Sequence, residues 1–215
     1  MNNFPIEARP SPNHGERYGP IVVARGDLDP AALPGLRVAV PGRLTSAFLQ
    51  LQLAVGRIDD PLITPFDRIL DVVEAGEADA GLVIHEGQLT YARQGLRSVL
   101  DLGEWWDDLT GGLPLPLGAN AVRRDLDEGD TLPRLSRLLR QSIAYGLEHR
   151  RGALAHAERF GRGLDEELAD RFVGMYVNEL TEDYGDEGRE AVVELLKRGE
   201  KAGAFNSPVR VEFVA

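Results

Sequence analysis

The amino-acid sequence predicts an α/β protein in which one complete lobe, built on a parallel sheet, is followed mainly by helices. Between residues 36 and 84, short apolar strands alternate with segments of helical periodicity, and the connections between them are short. This order is typical of βαβ units with right-handed crossovers. Beyond residue 124, apolar residues recur only at helical spacing. We therefore expect an irregular N-terminal segment (1–20), an α/β lobe with a flanking hinge strand (21–118), and a returning hinge strand with C-terminal helices (119–215).

The elements of the predicted lobe alternate between strand and helix. Pro41 and Gly42 end one strand just before a hydroxyl residue that can cap a helix. The last strand has no polar alternation, as expected when both of its faces are buried. The predicted elements are, in order, strands at 21–24 and 36–40, a helix from Thr45 or Ser46 to about Val55, a strand at 62–64, a helix capped by Asp67 and ended by Gly76, and a strand at 80–84.

Two short segments share a pattern, in which the end of a strand is followed by Arg, any residue, Asp and Leu. They lie at 23–28 and 121–126, and we interpret them as strands by which the chain leaves one lobe and later returns to it. The helices after the second segment have apolar faces but little strand to pack against. Their apolar positions follow the helical period over 135–147, 164–176 and 191–196.

The charge and the cysteine content exclude several classes of function. Lys plus Arg is 24 and Asp plus Glu is 35, so the net charge is 24 − 35 = −11, which disfavours binding to nucleic acid. The chain has no cysteine, so a thiolate metal site and a cysteine nucleophile are excluded. No apolar run is long enough to span a membrane, and no secretory signal is recognisable. We expect a soluble cytoplasmic protein with no bound metal.

His85 is the first candidate for chemistry, because ligands of open α/β sheets bind beyond the carboxyl ends of the strands. It ends the last predicted strand of the lobe, and an imidazole there can take a proton near neutral pH. A histidine bonded to the backbone in the core or in a loop is the alternative. Glu86 follows directly, but adjacent strand residues point to opposite faces, so a His85–Glu86 dyad is not implied. We expect His14, His149 and His156 to be solvated.

The turn before the first helix is the second candidate. Thr45 and Ser46 begin a helix directly after a strand, where free N–H groups, the helix dipole and two hydroxyls can bind a carboxylate or a phosphate. Simple capping of the helix by these hydroxyls is the alternative. The segment is not a phosphate-binding P-loop, since the Gly-Lys-Ser/Thr ending is absent.

An aromatic pair, Trp105 and Trp106, is followed by the Leu- and Pro-rich segment 113–117. These residues either form the wall of a pocket for a flat ring or pack in the core. Acidic clusters at 107–108, 127–128 and 165–167 lack ligand-like spacing. They are typical of solvated faces and helix N-termini.

Several motifs occur in a specific order along the chain. Together they resemble the 1,4-dihydroxy-6-naphthoate synthase (MqnD) family of the futalosine route to menaquinone. The likeness runs from about residue 19 to the C-terminus, and it is carried by Val-Pro-Gly-Arg-Leu-Thr-Ser-Ala at 40–47, Ile-His-Glu-Gly at 84–87 with Thr-Tyr at 90–91, Asp-Leu-Gly-Glu-Trp-Trp at 101–106, Leu-Pro-Leu-Pro-Leu-Gly at 113–118 and Tyr-Val-Asn at 176–178.

The resemblance implies a two-lobed fold like that of the type II periplasmic binding proteins. It also implies a lyase that cleaves cyclic dehypoxanthinyl futalosine to 1,4-dihydroxy-6-naphthoate and releases the sugar-derived fragment, without a redox cofactor. The catalytic base of the family falls on His85. The substrate contacts at the helix start fall on Ser46 and Ala47, with Thr45 adjacent.

The sequence also departs from the family pattern. A starting strand with a loop like Ser-Pro-Cys-Pro-Asn-Asp and a later Lys-Leu-Ser segment are not found. We therefore expect an incomplete first lobe, through a misassigned start, a split gene or a degenerate copy. We also expect a chain that is unstable, self-associating or dependent on a missing fragment, and whether it retains turnover stays open. Chorismate dehydratase, a non-catalytic solute-binding protein of the same fold, and a non-catalytic remnant are the alternative functions.

Overall fold

The computed structural model describes residues 2–3, 19–118, 120–126, 128–157 and 166–214. The strands in this part of the chain are short, and three of them are fully buried. They are β1 (Asn2–Asn3), β2 (Ile21–Ala24), β3 (Val38–Val40), β4 (Leu62–Ile63), β5 (Ala80–Val83), β6 (Arg97–Asp101) and β7 (Asn120–Ala121).

The helices are short in the first half of the chain and longer in the second. They are α1 (Ser46–Val55), α2 (Ile69–Glu74), α3 (Gly87–Thr90), α4 (Leu102–Thr110), α5 (Thr131–Glu148), α6 (Arg150–Ala157), α7 (Glu166–Tyr176), α8 (Glu179–Glu182) and α9 (Gly185–Lys201). None of the described helices is long and apolar enough to cross a membrane.

A five-stranded sheet in the order β4-β3-β5-β2-β6 forms the centre of one unit, which runs to Leu113 and takes in Lys197–Asn206. β3 pairs in parallel with β4 and β5, as the βαβ pattern predicts. The prediction of a purely parallel sheet is wrong, because β2 lies between β5 and β6 and runs antiparallel to both. The sheet is therefore mixed, and β6 runs in the same direction as β5.

The two faces of this sheet are covered by different helices, because its central strands are apolar on both sides. One face packs Val22, Val40 and Leu82 against α1 and α4. The other face packs Val23 and Val83 against the apolar side of α2. All four residues of β5 are buried, which confirms the prediction drawn from its lack of polar alternation. The unit is thus a three-layer α/β arrangement.

The start of α2 differs from the prediction. Asp67 is not its N-cap, because Pro65 begins a short 3₁₀ turn at Phe66–Arg68 and α2 continues directly from that turn. Asp67 therefore lies inside the first turn instead of before it. The end of α2 agrees better, since Gly76 follows it with a φ of +78°, a conformation in which glycine is favoured.

The second unit contains residues 114–196 and is mainly helical, as the periodicity predicts. Its small apolar core is centred on Tyr184 and Val192, with Phe213 packed against them. The expected strand at 119–122 is present as β7, which pairs with β1. Asn2 and Asn3 therefore form a short strand within the segment 1–20, which was expected to be irregular. This strand is held by its pairing with Asn120 and Ala121. The expected N-terminal residue of one helix, Leu164, lies outside the described residues.

Candidate functional site

The candidate site lies at one edge of the five-stranded sheet. β3, β4 and β5 are parallel, so their carboxyl ends meet there. The segments that follow these ends are Gly42–Thr45, Thr64–Pro65 and His85–Gly87. Because adjacent strands lie about 4.8 Å apart, the segments after β3 and β5 start as close neighbours. The structure thus brings both sequence-predicted candidates, the helix start and His85, to the same edge.

Thr45 caps α1, as the sequence predicts. Its Oγ1 accepts a hydrogen bond from the N–H of Phe48 at 3.2 Å and donates to the carbonyl of Gly42 at 3.0 Å. Ser46 and Ala47 follow in the first turn, where N–H groups have no acceptor in a preceding turn of the helix. Ser46 is half-buried and Ala47 is buried, so the turn that precedes α1 is held in place from both sides.

Arg43 fixes the same turn from outside. Its guanidinium donates to the carbonyl oxygen of Asp59 at 3.0 Å and lies 3.5 Å from the carboxylate of Asp60. These contacts tie the turn before α1 to the loop that follows the helix. The charge of Arg43 is therefore shared with Asp60 instead of being left for a ligand.

The two longer helices that begin at this edge differ in charge. α1 has the neutral hydroxyl of Thr45 as its cap and no acidic residue in its first turn. α4 is capped by the carboxylate of Asp101, which accepts from the N–H groups of Gly103 and Glu104, and it carries Glu104 in its first turn. Because a helix N-terminus carries about half a positive charge, α1 keeps the charge that Asp101 offsets at α4.

His85 is held by a hydrogen bond to the backbone two residues further on. The N–H of Gly87 donates to Nδ1 of the imidazole at 2.7 Å. A side chain at position 87 would force the ring to move, since a Cβ there would lie 2.5 Å from Cε1 of His85. The Phe66 ring meets the imidazole edge-on, with centroids 5.7 Å apart. Nε2 of His85 is buried and has no hydrogen-bond partner among the described residues.

Glu86 lies beside the imidazole, which the sequence did not imply. Its Oε2 is 3.9 Å from Nδ1 of His85, and the two side chains are only 23% and 12% exposed. The alternation of strand residues does not apply to these neighbours, because β5 ends at Val83 and the chain has already turned towards α3. The alternation of a strand does not apply beyond its last residue.

The other candidates from the sequence lie elsewhere. Trp106 is completely buried and Trp105 packs against the core, which supports the packing interpretation over a pocket wall. His149 and His156 are exposed on helices, as predicted, and His149 stacks on Tyr145. His14 lies outside the described residues.

Sequence reasoning missed two contributors to the site, Gly87 and Phe66. The glycine carried a signal, since a residue without a side chain directly after a His-Glu pair allows a ring to fold back over the backbone. Phe66 follows β4, and only the strand order places it next to a residue nineteen positions away.

A three-layer α/β unit binds its ligands beyond the carboxyl ends of its strands. Similar folds are found among solved structures. A crystal structure of a protein from Archaeoglobus fulgidus is 46% identical, with a TM-score of 0.81 over 89% of this chain and 70% of that one. A zinc-bound ligand-binding component of an ABC-type import system from Staphylococcus aureus is 10% identical, with a TM-score of 0.54 over 89% and 66%. An ABC transporter protein from Parabacteroides distasonis is 16% identical, with a TM-score of 0.53 over 93% and 68%. The last two show the fold alone.

Residues 13–201 match the menaquinone biosynthesis family, and the chain belongs to that family. A 1,4-dihydroxy-6-naphthoate synthase from Thermus thermophilus is 46% identical over 201 residues, which is 93% of this chain and 72% of the relative. A protein with the same name from Streptomyces coelicolor is 36% identical over 195 residues, 88% of this chain and 67% of the relative. The resemblance indicated by the sequence motifs and the expected enzyme class are therefore confirmed at the level of the family.

Proposed function

We propose that this chain is a lyase that converts cyclic dehypoxanthinyl futalosine to 1,4-dihydroxy-6-naphthoate, without a redox cofactor. Membership of the menaquinone biosynthesis family supports the reaction class. One observation on the structure carries the proposal furthest. A buried imidazole nitrogen of His85 has no partner among the described residues and lies at the edge where α1 begins.

His85 has the role of proton acceptor in this proposal. In the free protein its ring accepts a hydrogen bond from Gly87 and is flanked by Phe66, which keeps it at this edge of the sheet. A positioned base of this kind contributes about 10²- to 10⁴-fold to the rate of a proton transfer. The proton comes from a carbon of the substrate, and the electron pair left behind starts the elimination.

The start of α1 has the role of holding the substrate. Ser46 and Ala47 lie in the first turn of α1, and Thr45 keeps that turn in its capped conformation. The partial positive charge of the helix end favours an anionic group such as the carboxylate of the substrate, by about 0.3–1 kcal/mol at an exposed position. The neutral cap leaves this charge available.

We further propose that the enzyme acts in the cytoplasm on a small molecule, without a nucleic-acid partner, and that its fold is of the two-lobed periplasmic-binding-protein type. The net charge of −11 supports the absence of nucleic acid. The fold likeness to ligand-binding components of transport systems supports the fold type.

The experiment is a turnover assay with the purified 215-residue chain. The protein is incubated with cyclic dehypoxanthinyl futalosine, and naphthoate formation is followed by chromatography. His85→Ala is expected to lose turnover while its circular dichroism is unchanged, since the side chain does not belong to the main core. His149→Ala is the matched control, because it removes an exposed histidine of the other unit.

Two further arms separate the alternatives. Chorismate replaces the substrate in one arm, and its dehydration would assign the chain to the other enzyme class considered. The second arm measures binding of 1,4-dihydroxy-6-naphthoate by calorimetry. Binding that survives His85→Ala, with no turnover in the parent chain, would identify a solute-binding protein and refute the lyase.

A further inference from the structure

The hydrogen bond from Gly87 determines which nitrogen of His85 carries the proton. An imidazole nitrogen that accepts a hydrogen bond uses its lone pair and has no hydrogen of its own. Nδ1 accepts from the N–H of Gly87 at 2.7 Å, so the neutral ring carries its proton on Nε2. In this arrangement Nε2 is a hydrogen-bond donor. It has no lone pair with which to take a proton from a substrate.

A proton acceptor at Nε2 therefore needs the other tautomer. The ring must carry its hydrogen on Nδ1, and that hydrogen needs an acceptor, which the N–H of Gly87 cannot be. Glu86 supplies one, because its Oε2 lies 3.9 Å from Nδ1. A charge-assisted hydrogen bond is about 2.8 Å long, so a shift of about 1 Å closes the gap.

The carboxylate of Glu86 is available for this contact. Within the described part of the chain, Glu86 makes no ion pair with an arginine or a lysine. The pair with His85 is also less exposed than the other ion pairs that the structure describes, with side chains 12% and 23% exposed. An interaction between partly buried groups is screened less by water than one at the surface.

We propose that Glu86 is the positioning residue of His85: it accepts the hydrogen on Nδ1, releases the ring from Gly87 and leaves the Nε2 lone pair to take the substrate proton. This inference rests on the proposed function, in which His85 is the proton acceptor. To reach this tautomer the ring gives its Nε2 hydrogen to water and takes a hydrogen from water at Nδ1. The substrate proton then moves to Nε2, the hydrogen on Nδ1 stays in place, and the electron pair of the broken C–H bond stays with the substrate. Glu86 remains ionised throughout and pairs with the imidazolium.

The test compares two substitutions with a matched control. Glu86→Ala removes the acceptor, and Glu86→Gln keeps an acceptor oxygen but removes the charge. Glu74→Gln removes the same charge at an exposed position of α2. With cyclic dehypoxanthinyl futalosine as substrate, kcat of Glu86→Ala is expected to fall about 100-fold. Glu86→Gln should fall less, KM of both variants should stay within about threefold, and the control should match the parent.

The tautomer of His85 in the free protein has a separate spectroscopic test. Protein labelled with ¹⁵N-histidine reports the tautomer of each ring, and the His85 signals are assigned by their loss in His85→Ala. An unprotonated Nδ1 in the free neutral ring is expected, and a protonated Nδ1 that persists in Glu86→Ala would overturn the inference. Turnover of the parent with unchanged kcat in Glu86→Ala would overturn it while leaving the proposed function intact. If the parent has no turnover at all, both fall together.

Discussion

Gly87→Ala tests whether the geometry around His85 matters for turnover. A Cβ at position 87 would lie 2.5 Å from Cε1 and 2.8 Å from Nδ1 of the imidazole, and 2.9 Å from a methyl group of Leu70. Carbon atoms in contact prefer about 3.5–4.0 Å, so the ring must retreat by about 1 Å. A displacement of that size at a reacting group costs about 100-fold in rate. We expect kcat/KM of Gly87→Ala to fall by about that factor.

The same variant should also lose stability. Loss of the hydrogen bond from Gly87 to Nδ1 costs about 0.5–1.5 kcal/mol. The added methyl group also presses on the imidazole and on the buried side chain of Leu70, and overpacking of this kind costs about 1–3 kcal/mol. Urea unfolding followed by circular dichroism should therefore give a free energy of unfolding about 1–4 kcal/mol below that of the parent.

A glycine in the other unit provides the matched control. Gly152→Ala in α6 places the same methyl group in open space, and its turnover should equal that of the parent. Parent-like turnover of Gly87→Ala would refute the argument, because it would show that a methyl group beside the imidazole does not hinder the reaction. Complete loss of folded protein would contradict the predicted cost in stability.

Three other predictions concern stability. Thr45→Ala should lose about 1 kcal/mol in urea unfolding, because the N–H of Phe48 loses its capping oxygen, whereas Thr45→Ser should keep it. Gly81→Ala should lose about 1–3 kcal/mol, since its Cβ would lie 2.6 Å from a methyl group of α2. Burial raises the pKa of Tyr184, whose hydroxyl has no partner in the described chain. Above about pH 10 only the unfolded chain ionises there, so the parent should lose stability that Tyr184→Phe keeps, while Tyr145→Phe at an exposed site should follow the parent.

Local chemistry made the helix start predictable. Thr45 follows a strand and a Pro-Gly turn, and a hydroxyl at that position has one strong role, the capping of the next amides. The same reasoning failed at Asp67, because Pro65 begins the turn one step earlier and moves the carboxylate inside the helix start. A cap can therefore be predicted where nothing else competes to start the turn.

Long-range strand pairing and the positions of strand ends explain what the sequence did not predict. The position of β2 between β5 and β6 depends on contacts with segments more than fifty residues away, which no local pattern encodes. The approach of Glu86 to His85 depends on β5 ending at Val83, and one residue more or less reverses which side chains share a face. Strand ends are where sequence patterns are least informative and where this site lies.

The unequal charge of the two helix starts has a consequence for the kinetics of substrate capture. The net charge of −11 repels an anionic substrate at long range, and salt screens that repulsion beyond about 10 Å at 0.1 M ionic strength. The uncompensated end of α1 acts only at contact distance. Added salt should therefore raise the association rate constant measured by stopped flow, while the dissociation rate constant changes little. In the proposed function, protein-wide repulsion thus acts on the approach of the substrate, and the start of α1 acts once the substrate is in contact.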